Sequence, residues 1–179
     1  MILAILAGIY STGFPLEPES IDGCCRRSTD FDAAFPTQIL FAGDPAQNDD
    51  KFDAVQKSLL NCKSYLETIE DKQTSYEIGK YERLWDLDTF KNLEEDNIKS
   101  TGYVVDTLEA AIWCFLNTDS YKECVLKAVN LGNDTDTVGA VAGGVAGLYY
   151  ELKEIPAEWI ELLPKKEWII ELAKQMKRN

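Results

Sequence analysis

The chain has 179 residues, an apolar fraction of 45% and a formal net charge of −13, and this length suffices for one domain with a hydrophobic core. The strong negative charge argues against binding to nucleic-acid backbones, which needs clustered Lys and Arg. The chain has no histidine and five cysteines without a CxxC pair, which excludes a histidine-based triad, argues against zinc and is typical of reduced thiols in a cytosolic protein.

The first 50 residues combine a short apolar start with a stretch rich in turn formers. The start, MILAILAGIY, has no basic residue before its apolar run, unlike a secretory signal, and it falls short of the about 20 apolar residues of a membrane span. Four prolines, at positions 15, 18, 36 and 45, then argue against long helices over residues 11–50. We therefore expect a cytoplasmic protein without membrane association, with a buried first element followed by loops.

From residue 51 onward the apolar pattern is that of helices. The stretch FDAVQKSLLNCKSYLETI places Val55, Leu59, Cys62 and Leu66 on one stripe, the spacing of an amphipathic helix. The stretch that follows, QTSYEIGKYERLWDLDTFKNLEED, has a mixed pattern and predicts one or two short helices.

Two later segments have the residue spacing of a capping box. Asp106 stands three residues before Glu109, and Ser120 stands three residues before Glu123, which predicts a helix start at each place. Gly132 is placed to end the second of these helices. The segments PAEWIELL and KEWIIELAKQMKRN predict two final helices, and no strand pair is evident. We expect a mainly α, single-domain protein over residues 1–179.

An acidic turn precedes the next predicted helix, in the segment LGNDTDTVGAVAGGVAGLYY. Asp134, Asp136 and Thr137 place three oxygen donors within four residues, and Mg²⁺ prefers carboxylate, hydroxyl and water oxygens. The spacing does not fit an EF-hand, because Val145 stands where that loop needs its bidentate Glu. The ordinary alternative is that these residues cap the helix start and complement its dipole.

Glycines recur every fourth residue in that helix, at Gly139, Gly143 and Gly147. Each interior Gly costs about 1 kcal/mol relative to Ala, so a compensating contact is expected. A face of nearly bare backbone allows either a second helix or a ligand to approach closely. Both interpretations stay open at this point, and such a face could also support a homo-oligomer.

The stretches GYVVDTLEAA, AVNLG and DTDTVGA follow one another between about residue 100 and about residue 159. With these stretches the segment resembles the C-terminal half of the ADP-ribosylglycohydrolase family. This resemblance implies a truncated version of a compact orthogonal helical bundle, with a centre of two Mg²⁺ ions, or Mn²⁺. It also implies hydrolysis of the bond that joins ADP-ribose to an acceptor group.

The resemblance assigns roles to residues of this half. The family's D-x-D-T motif supplies metal ligands, which points to Asp134, Asp136 and Thr137, with Asp134 also taking part in catalysis. The family's G-Y-V stretch lines the ADP-ribose site, which points to Gly102 and Tyr103. Tyr103 could stack on adenine, and a core aromatic is the alternative.

Two further substrate contacts, and one catalytic acid, follow from the same resemblance. Gly132 and Asn133 directly precede the D-x-D-T motif and are expected to contact the ligand. In the N-terminal half the family's G-x-P-x-E pattern is retained as Gly13, Pro15 and Glu17. Glu17 would orient or deprotonate the attacking water.

The family's second metal half-site, T-D-D-T, is missing from this chain. Its nearest candidates are Asp49 and Asp50, just before the helix that starts near residue 51, and the stretch STDFD at residues 28–32. We favour Asp49 and Asp50 as metal ligands because a helix follows them. The alternative is an acidic helix start on the protein surface.

Three functions remain open on the sequence. The first is an ADP-ribosyl hydrolase. The second is a degenerate relative that binds ADP-ribose or a related nucleotide without cleaving it. The third is an interaction protein that keeps only the helical scaffold. The acceptor group of the substrate is not encoded in any motif.

Overall fold

A computed structural model describes residues 50–70 and 72–176 of the chain. Within these ranges the protein is helical and has no strand, which confirms the mainly α prediction. Three short 3₁₀ turns, Glu82–Trp85, Glu95–Asn97 and Leu152–Glu154, lie between helices. The α-helices of this part are α1 (Lys51–Glu67), α2 (Lys72–Gly79), α3 (Leu87–Lys91), α4 (Val104–Leu116), α5 (Tyr121–Asn130), α6 (Thr135–Tyr150), α7 (Ala157–Glu161) and α8 (Lys166–Met176).

Helix α1 buries the stripe that its sequence predicts. Val55, Leu59, Cys62 and Leu66 are all buried, because their spacing brings them to one face of the helix. The predicted loops over residues 11–49 lie outside the described residues. No described helix combines the length and apolar character that crossing a bilayer requires.

Helix α4 is the centre of the described fold. Every residue from Thr107 to Leu116 is buried, and α5 and α6 both pack against it. A helix that is mostly apolar and is buried on nearly all sides belongs inside a core. The three helices α4, α5 and α6 therefore form the framework that carries the loops at their ends.

The expected capping box at Asp106 and Glu109 is wrong. Helix α4 already begins at Val104, and the Asp106 carboxylate accepts a hydrogen bond from the Thr101 hydroxyl at 2.6 Å. Glu109 is buried and accepts a hydrogen bond from Arg83 Nη1 at 2.7 Å. A local partner, Thr101, thus takes the Asp106 carboxylate, and a long-range partner, Arg83, takes the Glu109 carboxylate, so neither caps the helix start.

The expected cap at Ser120 is confirmed. Its hydroxyl accepts a hydrogen bond from the Glu123 amide at 3.2 Å. The Glu123 carboxylate reaches back to the Asp119 amide at 3.1 Å, one residue earlier than in an ideal capping box. The predicted stop of this helix is also confirmed, because Gly132 has a φ of +82° directly after the C-cap residue Leu131.

The glycines of α6 lie in the core. Gly139, Gly143, Gly144 and Gly147 are all buried. A Cβ atom added to Gly139 would lie 2.9 Å from Cγ1 of Val129 on α5, closer than a packed contact allows. At Gly139 the missing side chain therefore serves the close approach of α5 and α6.

Candidate functional site

Two loops meet where α4 and α6 begin. The loop before α4 contains Ser100, and the turn before α6 runs from Gly132 to Asp134. The Asp134 amide donates a hydrogen bond to the Ser100 carbonyl at 3.0 Å. Two chain segments about thirty residues apart thus form one site.

Ser100 is the residue that joins these loops. It is 1% exposed, and its hydroxyl lies 3.0 Å from the Gly132 carbonyl and 3.3 Å from the Leu131 carbonyl. It also accepts a hydrogen bond from Asn133 Nδ2 at 3.3 Å. This role of Ser100 is not evident from the sequence, since a lone serine before a helix carries no signal of contacts with the turn at 131–133.

Gly102 lies directly against the Asp134 carboxylate. A Cβ atom on Gly102 would come within 2.5 Å of Asp134 Oδ2 and 3.6 Å of Asp134 Cγ. Only glycine leaves room for the carboxylate in this position. The structure therefore brings together Gly102 and Asp134, two of the residues to which the sequence assigns a role in the site.

Asp134 occupies the N-cap position of α6, but its side chain makes no capping hydrogen bond. The Thr137 hydroxyl and then the Asp136 side chain hold the pKa of Asp134 below its usual range. The Thr137 amide is near enough to add a little to this effect. An ionised carboxylate that stands close to a second carboxylate and a hydroxyl is suited to a cation.

The loop before α4 is stiffened by its own hydrogen bonds. Thr101 Oγ1 accepts from the Tyr103 amide at 3.1 Å, and the Thr107 hydroxyl donates to the Thr101 carbonyl at 3.0 Å. Tyr103 itself is 48% exposed. It is thus not a core aromatic, and its ring is accessible next to Gly102.

The turn has oxygen donors of the kind that a Mg²⁺ ion prefers. Over residues 50–70 and 72–176, no group of three His, Cys, Asp or Glu side chains is close enough to hold a metal ion. The turn supplies two carboxylates and a hydroxyl, from Asp134, Asp136 and Thr137. These residues fit Mg²⁺, which commonly binds a protein through one or two carboxylates and keeps several waters.

Asp50 lies elsewhere. It precedes α1, where the next residue, Lys51, forms a hydrogen bond with the Thr118 carbonyl just after α4 and an ion pair with Asp119. Burial raises the pKa of Tyr149, and the nearby charge of Asp50 adds to this increase. Tyr149 is about 22 Å along α6 from Asp134, at about 1.5 Å per residue.

The structure therefore does not bring Asp50 together with the acidic turn. Asp50 is exposed at a helix start, as the alternative interpretation expected. Glu17 and Asp49, to which the sequence assigns the rest of the site, lie outside the described residues.

The buried thiols Cys114 and Cys124 do not belong to the site. Burial raises the pKa of each thiol to about 12, so neither is a thiolate at neutral pH. Both contribute to the apolar core.

The fold and the site together define a class, namely all-helical proteins that hold a D-x-D-T turn against a glycine-containing loop at the start of two core helices. The chain belongs to the ADP-ribosylglycohydrolase family, whose family model matches residues 33–179. This match extends well beyond the segment at 100–159 that carried the resemblance.

The names of individual relatives agree with this family. The chain is 45% identical over 87 residues to ADP-ribosylarginine hydrolase Tri1 of Serratia proteamaculans, across 49% of this chain and 24% of that protein. It is 40% identical over 68 residues to ADP-ribosyl-[dinitrogen reductase] glycohydrolase of Rhodospirillum rubrum, across 38% of this chain and 23% of that protein. It is 27% identical over 115 residues to ADP-ribosylhydrolase ARH3 of Mus musculus, across 58% and 30%. The chain thus spans about a quarter of the length of the first two relatives and slightly more of the third.

Proposed function

We propose that this chain carries the metal-binding and ADP-ribose-binding part of a Mg²⁺-dependent hydrolase, which cleaves the bond between ADP-ribose and an acceptor group. The observation that carries the proposal is the placement of the Asp134 carboxylate. It lies against Gly102 and near the side chains of Asp136 and Thr137, and it makes no capping hydrogen bond to the helix that it precedes. The names of the relatives support the reaction class.

Each residue of the turn has a stated task in this proposal. Asp134, Asp136 and Thr137 would hold the metal, with two Mg²⁺ ions as the expected number and Mn²⁺ as a substitute. When bound, such ions lower the pKa of a water and stabilise developing negative charge. Gly102 leaves space for the carboxylate, and Ser100 keeps the two loops at a fixed distance.

The ligand would lie along the loop before α4. The exposed ring of Tyr103 can stack on adenine, and Gly132 and Asn133 border the turn where the ribose would sit. Glu17 remains the candidate for orienting the attacking water. Bound cations would also allow a chain with a net charge of −13 to attract an anionic diphosphate.

The test is paired substitution of the acidic turn. Asp134→Asn with Asp136→Asn should abolish the rise in melting temperature that Mg²⁺ gives the full chain, because the carboxylates that bind the ion are gone. Release of ADP-ribose from an ADP-ribosylated arginine peptide should fall about 100-fold or more, as loss of several kcal/mol of charge stabilisation implies.

The matched control is Asp50→Asn, which removes a carboxylate far from the turn. It should leave both the Mg²⁺ response and the release of ADP-ribose unchanged. A paired variant that keeps the full Mg²⁺ response would refute the metal assignment.

A second candidate is an ADP-ribose binder without activity. The absence of a third carboxylate near the turn among the described residues, and of a T-D-D-T motif in the sequence, favours it. Calorimetry that detects ADP-ribose binding in Mg²⁺, together with no release of ADP-ribose from modified arginine or serine peptides, would establish this second function.

A further inference from the structure

The side chain of Asn133 bonds a buried residue of the neighbouring loop. Its Nδ2 donates to Ser100 Oγ at 3.3 Å, and Ser100 is 1% exposed. The Ser100 hydroxyl has a single proton, which goes to the main chain of the turn, with the Gly132 carbonyl at 3.0 Å as the nearer acceptor. The hydroxyl oxygen can therefore bond Asn133 only as an acceptor, and only the amide nitrogen of Asn133 can donate to it.

The backbone of Asn133 makes a second demand on the same residue. Gly132 and Asn133 have φ angles of +82° and +53°, so two successive residues of the turn are in the left-handed region. Glycine reaches this region without strain, and asparagine is among the few other residues that adopt it readily. Glycine offers no side-chain donor, and aspartate offers only acceptors when it is ionised. Asparagine thus fits the backbone and also supplies the donor that Ser100 accepts.

These contacts bear on the position of the next residue, Asp134. The Asp134 amide donates to the Ser100 carbonyl at 3.0 Å, so Ser100 bonds the turn through both its main chain and its side chain. The Asp134 carboxylate lies against Gly102 of the same loop, where an added Cβ would be 2.5 Å from Oδ2. A shift of the turn relative to the loop would therefore move this carboxylate.

We infer that Asn133 is a positioning residue of the site, which acts on Mg²⁺ binding through Ser100 and Asp134 and does not touch the nucleotide. The inference rests on the proposed function and replaces the ligand contact that the sequence predicts for Asn133. The bond between Asn133 and Ser100 closes the turn onto the loop and orders the Asp134 carboxylate before the ion arrives. Without this bond, the ion has to order the carboxylate as it binds, which weakens Mg²⁺ binding.

The experiment measures three quantities on the full chain. They are the Mg²⁺ dissociation constant well below the melting temperature, the ADP-ribose dissociation constant at saturating Mg²⁺, and the melting temperature without Mg²⁺. Asn133→Gly keeps the left-handed backbone and removes the donor. It should weaken Mg²⁺ binding about three- to tenfold, the equivalent of one neutral hydrogen bond. It should change ADP-ribose affinity at saturating Mg²⁺ by less than about twofold.

A double-mutant cycle with Ser100→Ala tests the route through Ser100. This change removes the acceptor of Asn133 and keeps the main-chain bond to Asp134, so it should weaken Mg²⁺ binding at least as much as Asn133→Gly. In the Ser100→Ala background, Asn133→Gly should add a further loss of less than about twofold, because its partner is already absent. Equal losses in the two backgrounds would overturn the inference.

Asn130→Ala is the matched control. Asn130 precedes the turn and also donates through its amide nitrogen, to the Leu126 carbonyl at 2.8 Å, but this bond stays within α5. The control should change Mg²⁺ affinity by less than about twofold, as expected of a surface substitution without contact to the site.

The outcomes separate the inference from the proposed function. If Asn133→Gly lowers only the melting temperature and Mg²⁺ affinity is unchanged, Asn133 stabilises the fold alone, so the inference is wrong and the proposed function stands. A loss of ADP-ribose affinity that saturating Mg²⁺ does not restore would indicate direct contact with the nucleotide and would also overturn the inference. If the unaltered chain binds no Mg²⁺, both fail.

Discussion

Gly102 and Ser100 show how single residues set the geometry of the site. Gly102 has no side chain where the Asp134 carboxylate lies, and Ser100 uses its one hydroxyl to join two loops. Neither residue is of a type that by itself indicates a metal ligand or a catalytic group. In the proposed metal site, their role is to determine where the Asp134 carboxylate stands, because neighbouring residues orient the groups that bind a metal.

Gly102→Ala should separate this positioning role from stability. The new Cβ would lie 2.5 Å from Asp134 Oδ2, so the carboxylate must move, and Mg²⁺ should no longer raise the melting temperature. The carboxylate is the end of a flexible side chain, so stability without Mg²⁺ should change by less than about 1 kcal/mol. Thermal melts with and without Mg²⁺ measure both quantities.

Gly79→Ala is the control for that substitution, because a Cβ at Gly79 has no neighbour within 4 Å. Its Mg²⁺ response should equal that of the unaltered chain. A normal Mg²⁺ response in Gly102→Ala would mean that the Asp134 carboxylate does not bind the ion in the position seen here.

At the scale of elements, α5 and α6 explain why a helix can contain buried glycines. The two helices approach until Val129 fills the space in front of Gly139. The loss of helix propensity at the glycine is compensated by a contact between helices. Close packing also fixes the start of α6, and with it the acidic turn.

Gly139→Ala should destabilise the chain by about 1 kcal/mol, because overpacking outweighs the gain in helix propensity. Val129 is β-branched and cannot move away easily. In a Val129→Ala background the same change should instead stabilise by about 0.5–1 kcal/mol. Urea unfolding of the four proteins of this double-mutant cycle tests the change of sign, and strictly additive values would rule out the contact.

At the scale of the whole described fold, Arg83 connects three parts of the chain. It donates to the buried Glu109 on α4 at 2.7 Å and to the Asn97 carbonyl at 3.1 Å. Its guanidinium also lies 5.7 Å from the centre of the Phe90 ring. The turn at residues 95–97, which leads to the site loop, is held to the core in this way.

Arg83→Met should destabilise the chain by about 2–3 kcal/mol near neutral pH, because Glu109 then stays buried without its cation. We place this below the range for fully buried pairs because the Arg83 side chain is 36% exposed and its charge is partly screened.

The pH dependence of this loss has a definite sign. Burial raises the pKa of Glu109 in the folded state, and Arg83 opposes this. Without Arg83 the pKa of Glu109 in the folded state rises further above its unfolded value. The free energy of unfolding therefore falls as pH increases from the unfolded pKa through the folded pKa, because Glu109 ionises while it is buried. The loss in Arg83→Met should therefore be larger at about pH 7.5 than at about pH 5. Urea unfolding at both pH values, with Arg83→Lys as control, tests this, and a loss independent of pH would contradict it.

Several features of this protein are encoded locally and could be derived from the sequence. The stripe of α1, the Ser120 cap, the Gly132 stop and the acidic turn each depend on residues within a few positions of one another. Helix periodicity, side-chain caps and left-handed glycines act over one or two turns of chain. The D-x-D-T motif of the family is likewise visible in the sequence, because its residues are contiguous.

Other features depend on residues far apart in the sequence, and only the tertiary structure decided them. The contact of Gly102 with Asp134, the burial of Ser100 and the pairing of Arg83 with Glu109 join positions between 26 and 33 residues apart. The same holds for Asp50, whose acidic pattern resembles a half-site but which stands near the opposite end of α6. Local patterns specify which residues can form an element, whereas packing of the elements determines which side chains meet.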